Sequence, residues 1–430
     1  MRILLKNGRV IDPKNHLDEI LDVYIEDGVI SEIGPNLDYT GNEIDEIDVT
    51  GKIVAPGLID MHCHLRDPGL EYKEDIESGT KAAVTGGFTS VACMPNTNPV
   101  IDHQAVVKYI IEKAKELGYA NVYPIGSISK GLKGEQLSEI GELKFAGVVG
   151  ISDDGRPVSN SSLMRRAMDY AAMFGVPVIS HCEELSLLDG GVMNEGLNST
   201  LMGLRGITRA AEEVMIARDI ILAETDQKPI HIAHVSTRGG IEWIRQAKKR
   251  GVAVTCETCP HYFSLTDDAV SGFNTMAKVN PPLRTQDDVE AVIEGLQDGT
   301  IDVIATDHAP HHKDEKMVEF DLAANGISGF ETALAVGLTY LVKRGKLTIA
   351  ELLDKMTYQP ANILCLNKGC LDVGKPADIV VFDPNETFIV DPEKFQSKGK
   401  NTPFAGQELE GVVYYTIVNG KIVVREKILL

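Results

Sequence analysis

Eight short apolar runs, most of them separated by amphipathic stretches, constrain the fold of this 430-residue chain more than any other feature. The predicted strands lie at 53–60, 88–93, 122–128, 147–152, 177–181, 230–234, 252–258 and 301–306. Apolar residues recur at helical spacing between them, as at 102–118, where Asp102 suits an N-cap and Gly118 a stop. Similar helical patterns occur at 163–175, 207–224, 239–251 and 287–295. Eight strand-then-helix units predict a (β/α)8 barrel of the α/β class.

A doubly wound open sheet is the competing arrangement of alternating strands and helices. It requires a glycine-rich phosphate-binding turn after the first strand. The first predicted strand is instead followed by a segment with two histidines, His62 and His64. The span 54–366 is also long enough for a barrel with insertions. We therefore expect the middle of the chain to be a TIM-like barrel.

Both ends of the chain carry strand patterns of a different kind. Short apolar runs near the start are joined at Asp27-Gly28, and runs near the end are joined at Asn419-Gly420; both dipeptides are typical of hairpin turns. Because an isolated hairpin is only marginally stable, the two ends are expected to combine into one small β-sandwich. The predicted domains are a sandwich formed by 1–53 and 367–430 and a barrel formed by 54–366.

The composition restricts the partners and location of the chain. Lysine and arginine total 42 and aspartate and glutamate total 63, so the formal charge is −21. This charge repels phosphate backbones and argues against nucleic acid, whereas an anionic small substrate would need a local positive group. No apolar stretch reaches the ~20 residues that span a bilayer. The N-terminus lacks a secretory pattern, and the 7 cysteines are scattered, so we expect a cytoplasmic protein with reduced thiols and no membrane contact.

Histidines and aspartates are concentrated where the predicted strands end. They lie at the ends of five of the eight strands and are His62, His64, Asp153, Asp154, His181, His234 and Asp307. The C-terminal strand ends of a barrel meet at one rim, where active sites lie. Buried imidazoles and carboxylates without partners cost free energy, and a shared cation removes that cost. The sequence therefore predicts a metal site at this rim, with a donor set that suits Zn²⁺.

The alternation of side chains along a strand separates some histidines. His62 and His64 are two residues apart, so both face the same side. His231 and His234 are three apart, so only one of them is expected to face the barrel interior. His234 is favoured because it is nearer the C-terminal end of its strand.

The same alternation leaves the aspartate pair undecided. Asp153 and Asp154 point in opposite directions, and either of them could bridge metal ions. Cys256 and Cys259 also diverge on a strand, and the chain has no second Cys-x-x-Cys pair, so these cysteines are interpreted as structural.

Four polar residues in loops at the same rim are candidates for substrate contacts. Arg66 follows His64 by two residues and is able to bind a carboxylate with two parallel hydrogen bonds. Asn96, Asn280 and His311 lie in the loops after strands 2, 7 and 8. These residue types are common in ordinary loops, so their position at the rim is what favours a binding role.

Several segments resemble the metal-dependent amidohydrolase superfamily and, within it, the dihydroorotase family. The motif His-x-His-x-Arg-Asp-Pro-Gly, which begins at His62, together with Met-Pro-Asn-Thr, which begins at Met94, is quite specific to dihydroorotases among these hydrolases. The resemblance covers nearly the whole chain. The matching segments are 56–69, 94–97, 180–183, 231–237, 278–284, 305–311 and 375–380.

The resemblance implies the residues of the site. The implied metal ligands are His62, His64, Asp154, His181, His234 and Asp307. They would hold one or two zinc ions per subunit, with Asp154 as the bridge. The implied substrate-binding residues are Arg66, Asn96, Asn280, His311, Asn325 and Gly326. Long-chain bacterial relatives tend to have Phe-Gly where this chain has Asn325-Gly326. Many superfamily members carry a carboxylated lysine after strand 4, whereas 152–155 contains no lysine.

The resemblance also implies an activity. It is the reversible cyclisation of N-carbamoyl-L-aspartate to L-dihydroorotate and water in pyrimidine biosynthesis, with a metal-activated hydroxide and Asp307 as general acid and base. One alternative is another cyclic-amide hydrolase, an allantoinase or dihydropyrimidinase, which the missing lysine, Arg66 and Asn96 argue against. The other is a non-catalytic assembly partner, which the complete ligand set argues against. A homodimer and an association with aspartate transcarbamoylase are expected by analogy alone.

Overall fold

The N-terminal segment of the chain consists of strands. The protein is described here by a computed structural model, which covers residues 2–39 and 44–430. The first strands are β1 (Arg2–Asp12), β2 (Leu17–Glu26), β3 (Val29–Gly34), β4 (Ile44–Asp48) and β5 (Ile53–Pro56).

The central segment alternates strands with helices. Its strands are β6 (Leu58–Cys63), β7 (Phe88–Cys93), β8 (Asn121–Gly126), β9 (Gly150–Ser152), β10 (Val178–Ser180), β11 (Met193–Asn194), β12 (Gly206–Ile207), β13 (Ile230–Ile232), β14 (Val254–Thr258) and β15 (Val303–Ile304). Its helices are α1 (Ile76–Thr85), α2 (Gln104–Leu117), α3 (Ile140–Ala146), α4 (Ser161–Met173), α5 (Leu197–Met202), α6 (Ala210–Asp226), α7 (Arg238–Lys249), α8 (Pro260–Ser264), α9 (Gln286–Gln297), α10 (Lys313–Lys316), α11 (Phe330–Gly337), α12 (Ile349–Met356) and α13 (Tyr358–Ile363).

Eight of these strands form a parallel sheet in the order β6, β7, β8, β9, β10, β13, β14, β15. The first strand also contacts the loop after the last one. Cys63 pairs in parallel with His308, and the N–H of His64 donates to the carbonyl of His308 at 2.8 Å. Asp60 accepts two more bonds across this seam, from the backbone N–H and the hydroxyl of Thr306 at 3.0 and 2.5 Å. The predicted TIM-like barrel is therefore confirmed, and its C-terminal strand ends meet at one rim.

The two ends of the chain combine into one further sheet. The C-terminal strands are β16 (Ile379–Ile389), β17 (Glu408–Val418), β18 (Lys421–Arg425) and β19 (Ile428–Leu429). The sheet has the order β19, β18, β17, β16, β5, β1, β2, β3, with β4 paired to β1. Since β5 pairs with β1 on one side and with β16 on the other, it joins the N-terminal strands to the C-terminal ones. The predicted association of the two termini is confirmed.

One predicted strand, 53–60, is two strands in the structure. β5 belongs to the terminal sheet and β6 to the barrel, and Gly57 separates them. The N–H of Gly57 donates to the carbonyl of Asp378 at 2.8 Å, and a Cβ at this position would lie 2.2 Å from the side chain of Thr89. The close approach of the backbone to Thr89 therefore requires glycine where the chain passes from one sheet to the other.

One predicted helix start is also wrong. Asp102 does not cap α2, because its carboxylate accepts a hydrogen bond from the N–H of Gly131 at 2.9 Å. His103 is the N-cap instead and accepts from the N–H of Ala105 at 3.2 Å. Gly118 ends the helix as predicted. The tertiary contact with the loop after β8 thus takes priority over the local capping preference of aspartate.

Apolar side chains fill the barrel and the layer between its strands and helices. Met61, Ala92, Ile125 and Val303 belong to one buried cluster, and a larger cluster packs strands against helices. All seven cysteines lie in the described part of the chain and are free thiols. Among the described residues, no helix is both long and apolar enough to cross a membrane.

Candidate active site

Six predicted metal ligands lie at the C-terminal rim of the barrel. They are His62, His64, Asp154, His181, His234 and Asp307, and each is 8 % exposed or less. The histidines of β6 and the segment after it face both carboxylates. His62 Nε2 lies 3.4 Å from Asp154 Oδ1 and 3.6 Å from Asp307 Oδ1. His64 Nε2 lies 3.1 Å from Asp307 Oδ1 and 3.5 Å from Asp154 Oδ2.

The other two histidines face Asp154 as well. His181 Nδ1 and His234 Nε2 are 2.8 Å apart, and they lie 3.4 and 3.5 Å from Asp154 Oδ1. Asp154 is therefore the one carboxylate of the six residues that contacts all four imidazoles within 3.5 Å. This is the position that a bridging ligand between two cations would occupy.

The donor set fits a metal ion. His62 Nε2 has no hydrogen-bond partner although it is fully buried, and His181 Nε2 and His234 Nδ1 are also without one among the described residues. Ligand atoms of His62, His64 and Asp307 lie within 4.8 Å of one another, as do those of His62, Asp154 and His234. Imidazole nitrogens and carboxylate oxygens at such spacing are what Zn²⁺ binds. The structure thus brings together residues that are distant in the sequence.

Electrostatics keep the carboxylates of this cluster ionised. Burial raises the pKa of Asp154, but the positive charge of His62 and hydrogen bonds from His181 and His234 outweigh it, so the pKa lies well below its ordinary value. Burial also raises the pKa of Asp307, and the hydrogen bond from His64 with the charges of nearby imidazoles again brings the pKa below its ordinary value. Both groups are therefore available as ligands or proton acceptors at neutral pH.

Asp153, the other candidate bridge, faces away from the cluster. Its Oδ1 accepts from the N–H groups of Ile128 and Ser129 at 2.8 and 2.9 Å, and its Oδ2 accepts from the Ser129 hydroxyl. Asp153 therefore organises the loop after β8. Of the two aspartates, it is Asp154 that lies in the cluster.

Glu257 is a site residue that sequence reasoning missed. Its Oε1 accepts from His62 Nδ1 at 2.5 Å, and its Oε2 lies 3.3 Å from His231 Nε2. Because the bond to Glu257 holds a proton on Nδ1 of His62, Nε2 is the nitrogen that would bind a cation at the cluster. A charged residue inside the buried run of β14 was the available signal, because carboxylates are rarely buried without partners.

His234 was predicted to face the barrel interior from the alternation of side chains along a strand, but that alternation does not apply to it. β13 ends at Ile232, so His234, with a φ of 34°, lies beyond the strand and does not follow its alternation. His234 lies in the cluster as predicted, and His231 contacts the same site through Glu257. Both histidines therefore lie at the same rim, His234 in the cluster and His231 against Glu257.

Arg66 and His311 form a polar pair beside the cluster. Both are buried, and an Arg66 terminal nitrogen lies 3.3 Å from His311 Nε2, while Arg66 Nε donates to the carbonyl of Pro310 at 3.3 Å. Among the described residues, no carboxylate oxygen lies within 4.0 Å of the Arg66 guanidinium. Burial and the positive charges of Arg66 and Lys73 lower the pKa of His311 to about 3, so its ring is neutral. A buried guanidinium without a counter-ion favours an anion.

The two asparagines of the rim have different neighbours. Asn96 Oδ1 lies 2.9 Å from His64 Nδ1, so Asn96 orients a predicted metal ligand. Asn280 Oδ1 is buried, and no described residue donates a hydrogen bond to it. Hydrogen bonding to His181 and Asn280 helps to lower the pKa of Glu183 against the effect of burial, and Glu183 Oε2 is 3.6 Å from His181 Nε2. Sequence reasoning missed Glu183, which directly follows Cys182 in a predicted motif.

Asn325 and Gly326 reach the rim through their backbone. The carbonyl of Asn325 accepts from His311 Nε2 at 2.8 Å. Gly326 is buried with a φ of 142°, and a Cβ there would lie 2.5 Å from the carbonyl oxygen of Ala309. Since the contact at residue 325 is made by the backbone carbonyl, it does not depend on the side chain at this position.

Cys259 lies near the cluster without a reactive thiol. Ligand atoms of Cys259, His261 and Asp307 lie within 4.8 Å of one another. Burial, with the charges of Asp307 and Glu257, raises the pKa of Cys259 well above its ordinary value, and burial also raises the pKa of Cys256, to about 12. Thiols of this kind are protonated and inert, which agrees with the structural interpretation of both cysteines.

Comparisons with known proteins agree on one family. The model of the amidohydrolase family matches residues 53–423. A dihydroorotase of Acetivibrio thermocellus is 66 % identical over 428 residues, and one of Ruminiclostridium cellulolyticum is 63 % identical over 430 residues, each with 100 % of both chains covered. Among solved structures, L-hydantoinase (dihydropyrimidinase) from Arthrobacter aurescens superposes with a TM-score of 0.90 at 25 % identity and covers 100 % of this chain and 97 % of its own. D-hydantoinase (dihydropyrimidinase) from a Thermus species gives a TM-score of 0.82 at 26 % identity, with 100 % and 96 % covered.

Proposed function

From the premise that this chain belongs to the amidohydrolase family and, within it, to the dihydroorotases, we propose that it catalyses the reversible cyclisation of N-carbamoyl-L-aspartate to L-dihydroorotate and water. One observation carries the proposal: a buried guanidinium without a counter-ion among the described residues, Arg66, lies beside a buried cluster of four imidazoles and two carboxylates. The cluster suits hydrolysis of an amide, and the guanidinium suits a substrate that carries a carboxylate. This substrate pair has both an amide to cleave or form and a carboxylate to bind.

The metal-dependent part of the proposal concerns Zn²⁺, one or two ions per subunit. The residues that would hold it are His62, His64, Asp154, His181, His234 and Asp307. A bound Zn²⁺ lowers the pKa of water and polarises a carbonyl oxygen. Glu257 fixes the tautomer of His62, and Asn96 Oδ1 accepts from His64 Nδ1, so both rings present Nε2 to the cluster.

Asp307 is the proposed general acid and base. Its carboxylate is ionised, and its Oδ1 lies at the cluster, 3.1 Å from His64 Nε2. In hydrolysis, a carboxylate oxygen of Asp307 accepts the proton of the attacking water, and the same proton then moves to the ring nitrogen as the C–N bond breaks. In cyclisation the steps run in reverse: Asp307 removes the proton of the ureido nitrogen as the C–N bond forms, and it passes that proton to the carboxyl oxygen that leaves as water when the C–O bond breaks.

Arg66 and His311 are proposed to bind the carboxylate of the substrate that does not react. Arg66 supplies charge and a planar pair of donors, and the single N–H of the neutral His311 ring, at Nε2, would turn from the carbonyl of Asn325 to the substrate carboxylate. Asn280 and Asn96 complete the proposed set, with loop contacts from Asn325 and Gly326. Fixing the substrate at these groups aligns the amide with Asp307 and lowers the entropic part of the barrier.

The first experiment measures interconversion of N-carbamoyl-L-aspartate and L-dihydroorotate by the purified chain, with allantoin and dihydrouracil as competing substrates. We expect turnover of the first pair alone. Asp307→Asn should lower kcat by about 100-fold or more, because the amide cannot accept the proton, while circular dichroism and metal content stay near those of the wild type. Hydrolysis of allantoin or dihydrouracil at a higher kcat/KM would overturn the assignment, and a fully active Asp307→Asn would remove Asp307 from its role.

The organisation and assembly of the chain stay predictions. We infer a terminal-sheet domain from 1–53 and 367–430 and a barrel domain from 54–366. The pairing of β5 with β1 and β16 supports joining the two ends, and because β5 extends to Pro56 it favours a first boundary near Gly57. The homodimer is tested by sedimentation of the purified chain, and the association with aspartate transcarbamoylase by sedimentation of a mixture of the two enzymes.

A further inference from the structure

Asn401 lies in the connection between β16 and β17 of the terminal sheet, yet its side chain contacts two loops of the barrel rim. Its Oδ1 accepts from the N–H of His311 at 3.0 Å and from the hydroxyl of Ser328 at 3.1 Å. Its Nδ2 donates to the carbonyls of Ala309 and Gly326 at 3.1 and 2.9 Å. The amide therefore uses both its acceptor and its donors, and Asn401 is only 2 % exposed.

The backbone of Asn401 strengthens the same junction. Its carbonyl accepts from the N–H of Ser328 at 2.8 Å. The preceding residues are anchored as well, because Glu331 accepts from the N–H of Gln396 at 2.8 Å and Glu74 accepts from the hydroxyl of Ser397. The connection is thus fixed to the barrel both at Asn401 and ahead of it.

The shapes at this junction also match closely. A Cβ on Gly399 would lie 2.5 Å from Pro310 and 2.7 Å from Asn401 Oδ1. A Cβ on Gly326 would lie 2.5 Å from the carbonyl oxygen of Ala309 and 3.2 Å from the ring of His311. Both glycines therefore let three backbone segments approach each other around Asn401. A small shift of the Asn401 amide would move the His311 segment and the Gly326 segment together.

We infer that Asn401 is a positioning residue of the substrate site: it holds the backbones of His311 and Gly326 in register, so that the terminal sheet helps to set the binding end of the barrel rim. The inference rests on the proposed function, since it assigns the substrate carboxylate to Arg66 and His311. The four hydrogen-bond partners of the Asn401 side chain, described above, include none of the proposed metal ligands. Asn401 therefore acts on substrate binding rather than on the cluster.

The test compares Asn401→Ala and Asn401→Asp with the wild type. The first removes all four side-chain bonds, and the second keeps an acceptor for His311 but sets a carboxylate oxygen against two carbonyls. Both should raise KM for L-dihydroorotate about tenfold and leave kcat within about threefold, because an interaction that stabilises the ground state and the transition state equally affects KM alone. Metal content should be unchanged, and hydrogen exchange of the amides in 309–311 and 326–328 should become faster.

Asn194→Ala is the matched control. Asn194 is also a buried asparagine, and its side chain bonds Asp267 and Arg284, at 3.1 Å each, rather than His311 or Gly326. This control should leave KM and the exchange of both rim segments unchanged. Gly399→Ala provides a second variant that displaces Asn401 without removing it, and it should raise KM in the same direction.

The outcomes separate the two claims. If wild-type protein does not interconvert the two substrates, the proposed function fails, and the exchange experiment still decides whether Asn401 fixes the rim. Faster exchange with an unchanged KM overturns the role in substrate binding. Unchanged exchange in Asn401→Ala, or an equal rise of KM in Asn194→Ala, overturns the positioning role altogether.

Discussion

Neighbouring aspartates in one loop have opposite surroundings. Asp154 contacts all four imidazoles of the cluster, whereas Asp153 is held by the backbone and hydroxyl of the loop after β8. We predict that Asp154→Asn lowers bound zinc and activity by at least about tenfold, because a neutral amide is a poor bridging ligand. Asp153→Asn keeps an acceptor for the same loop and should retain metal. Metal analysis of both variants after dialysis checks this; equal metal content in the two would contradict the bridge.

Arg66 is the residue on which the proposed recognition of a substrate carboxylate depends. We predict that Arg66→Met raises KM for L-dihydroorotate by about 30-fold or more, because the buried positive charge is lost and the donor pair with it. Arg66→Lys is the matched variant: it retains charge without the planar pair, and its KM should fall between those of Arg66→Met and the wild type. Steady-state kinetics check the order of the three proteins. An unchanged affinity in Arg66→Met would place the carboxylate elsewhere.

At the scale of single elements, sequence pattern predicted the strands better than it predicted the loops after them. The eight barrel strands and the histidine pair at the end of β6 were found because apolar runs and H-x-H spacing are local features. The contact of Asp102 with Gly131, the break at Gly57 and the pairing of Glu257 with His62 depend on segments that are distant in the chain. Residues beyond strand ends, such as His234, do not follow strand alternation, so parity could not orient them.

The connection that carries Asn401 also contains a pH-dependent anchor. Glu331, at the first turn of α11, accepts from the N–H groups of Gln396 and Ser397, and burial raises its pKa to about 8. Because the pKa of Glu331 in the folded chain is above its unfolded value of 4.5, the folded chain keeps the proton up to a higher pH. The stability that protonated Glu331 contributes is therefore complete below about pH 4.5 and is lost as the pH rises through about 8.

Glu331→Gln removes this pH dependence while it keeps an acceptor for Gln396. We predict that the Tm of the variant, relative to that of the wild type, rises steadily between about pH 5 and pH 8. Thermal unfolding across this range checks the prediction, with the exposed Glu116→Gln as the matched control. A Tm difference that is constant with pH, or that shrinks as the pH rises, would show that Glu331 is ionised in the folded chain.

At the scale of the whole molecule, the net charge of −21 affects which ions can approach and bind at the rim. A strongly acidic surface repels an anionic substrate at long range, so the proposed binding depends on a positive group in a shielded site, the position of the buried Arg66. The same acidic excess favours a cation at the cluster, where Asp154, Asp307 and Glu257 converge. Without a cation, the positive charges of His62 and of the nearby Arg66 balance the carboxylates, and burial raises the cost of each charge.

Removal of metal therefore tests the whole arrangement. We predict that dialysis against a zinc chelator lowers activity by about 100-fold or more and lowers Tm by about 5 °C, because a ligand that binds only the folded chain stabilises it by mass action. Added Zn²⁺ should restore both. Asp154→Asn is the matched control, and its Tm should respond much less to the chelator, since its bridging ligand is missing.

Five barrel strands end at this cluster, so loss of the cation should loosen the rim before the terminal sheet, and hydrogen exchange should rise first in the loops after β6, β9 and β15. Metal-free protein that keeps full activity would contradict the metal-dependent mechanism.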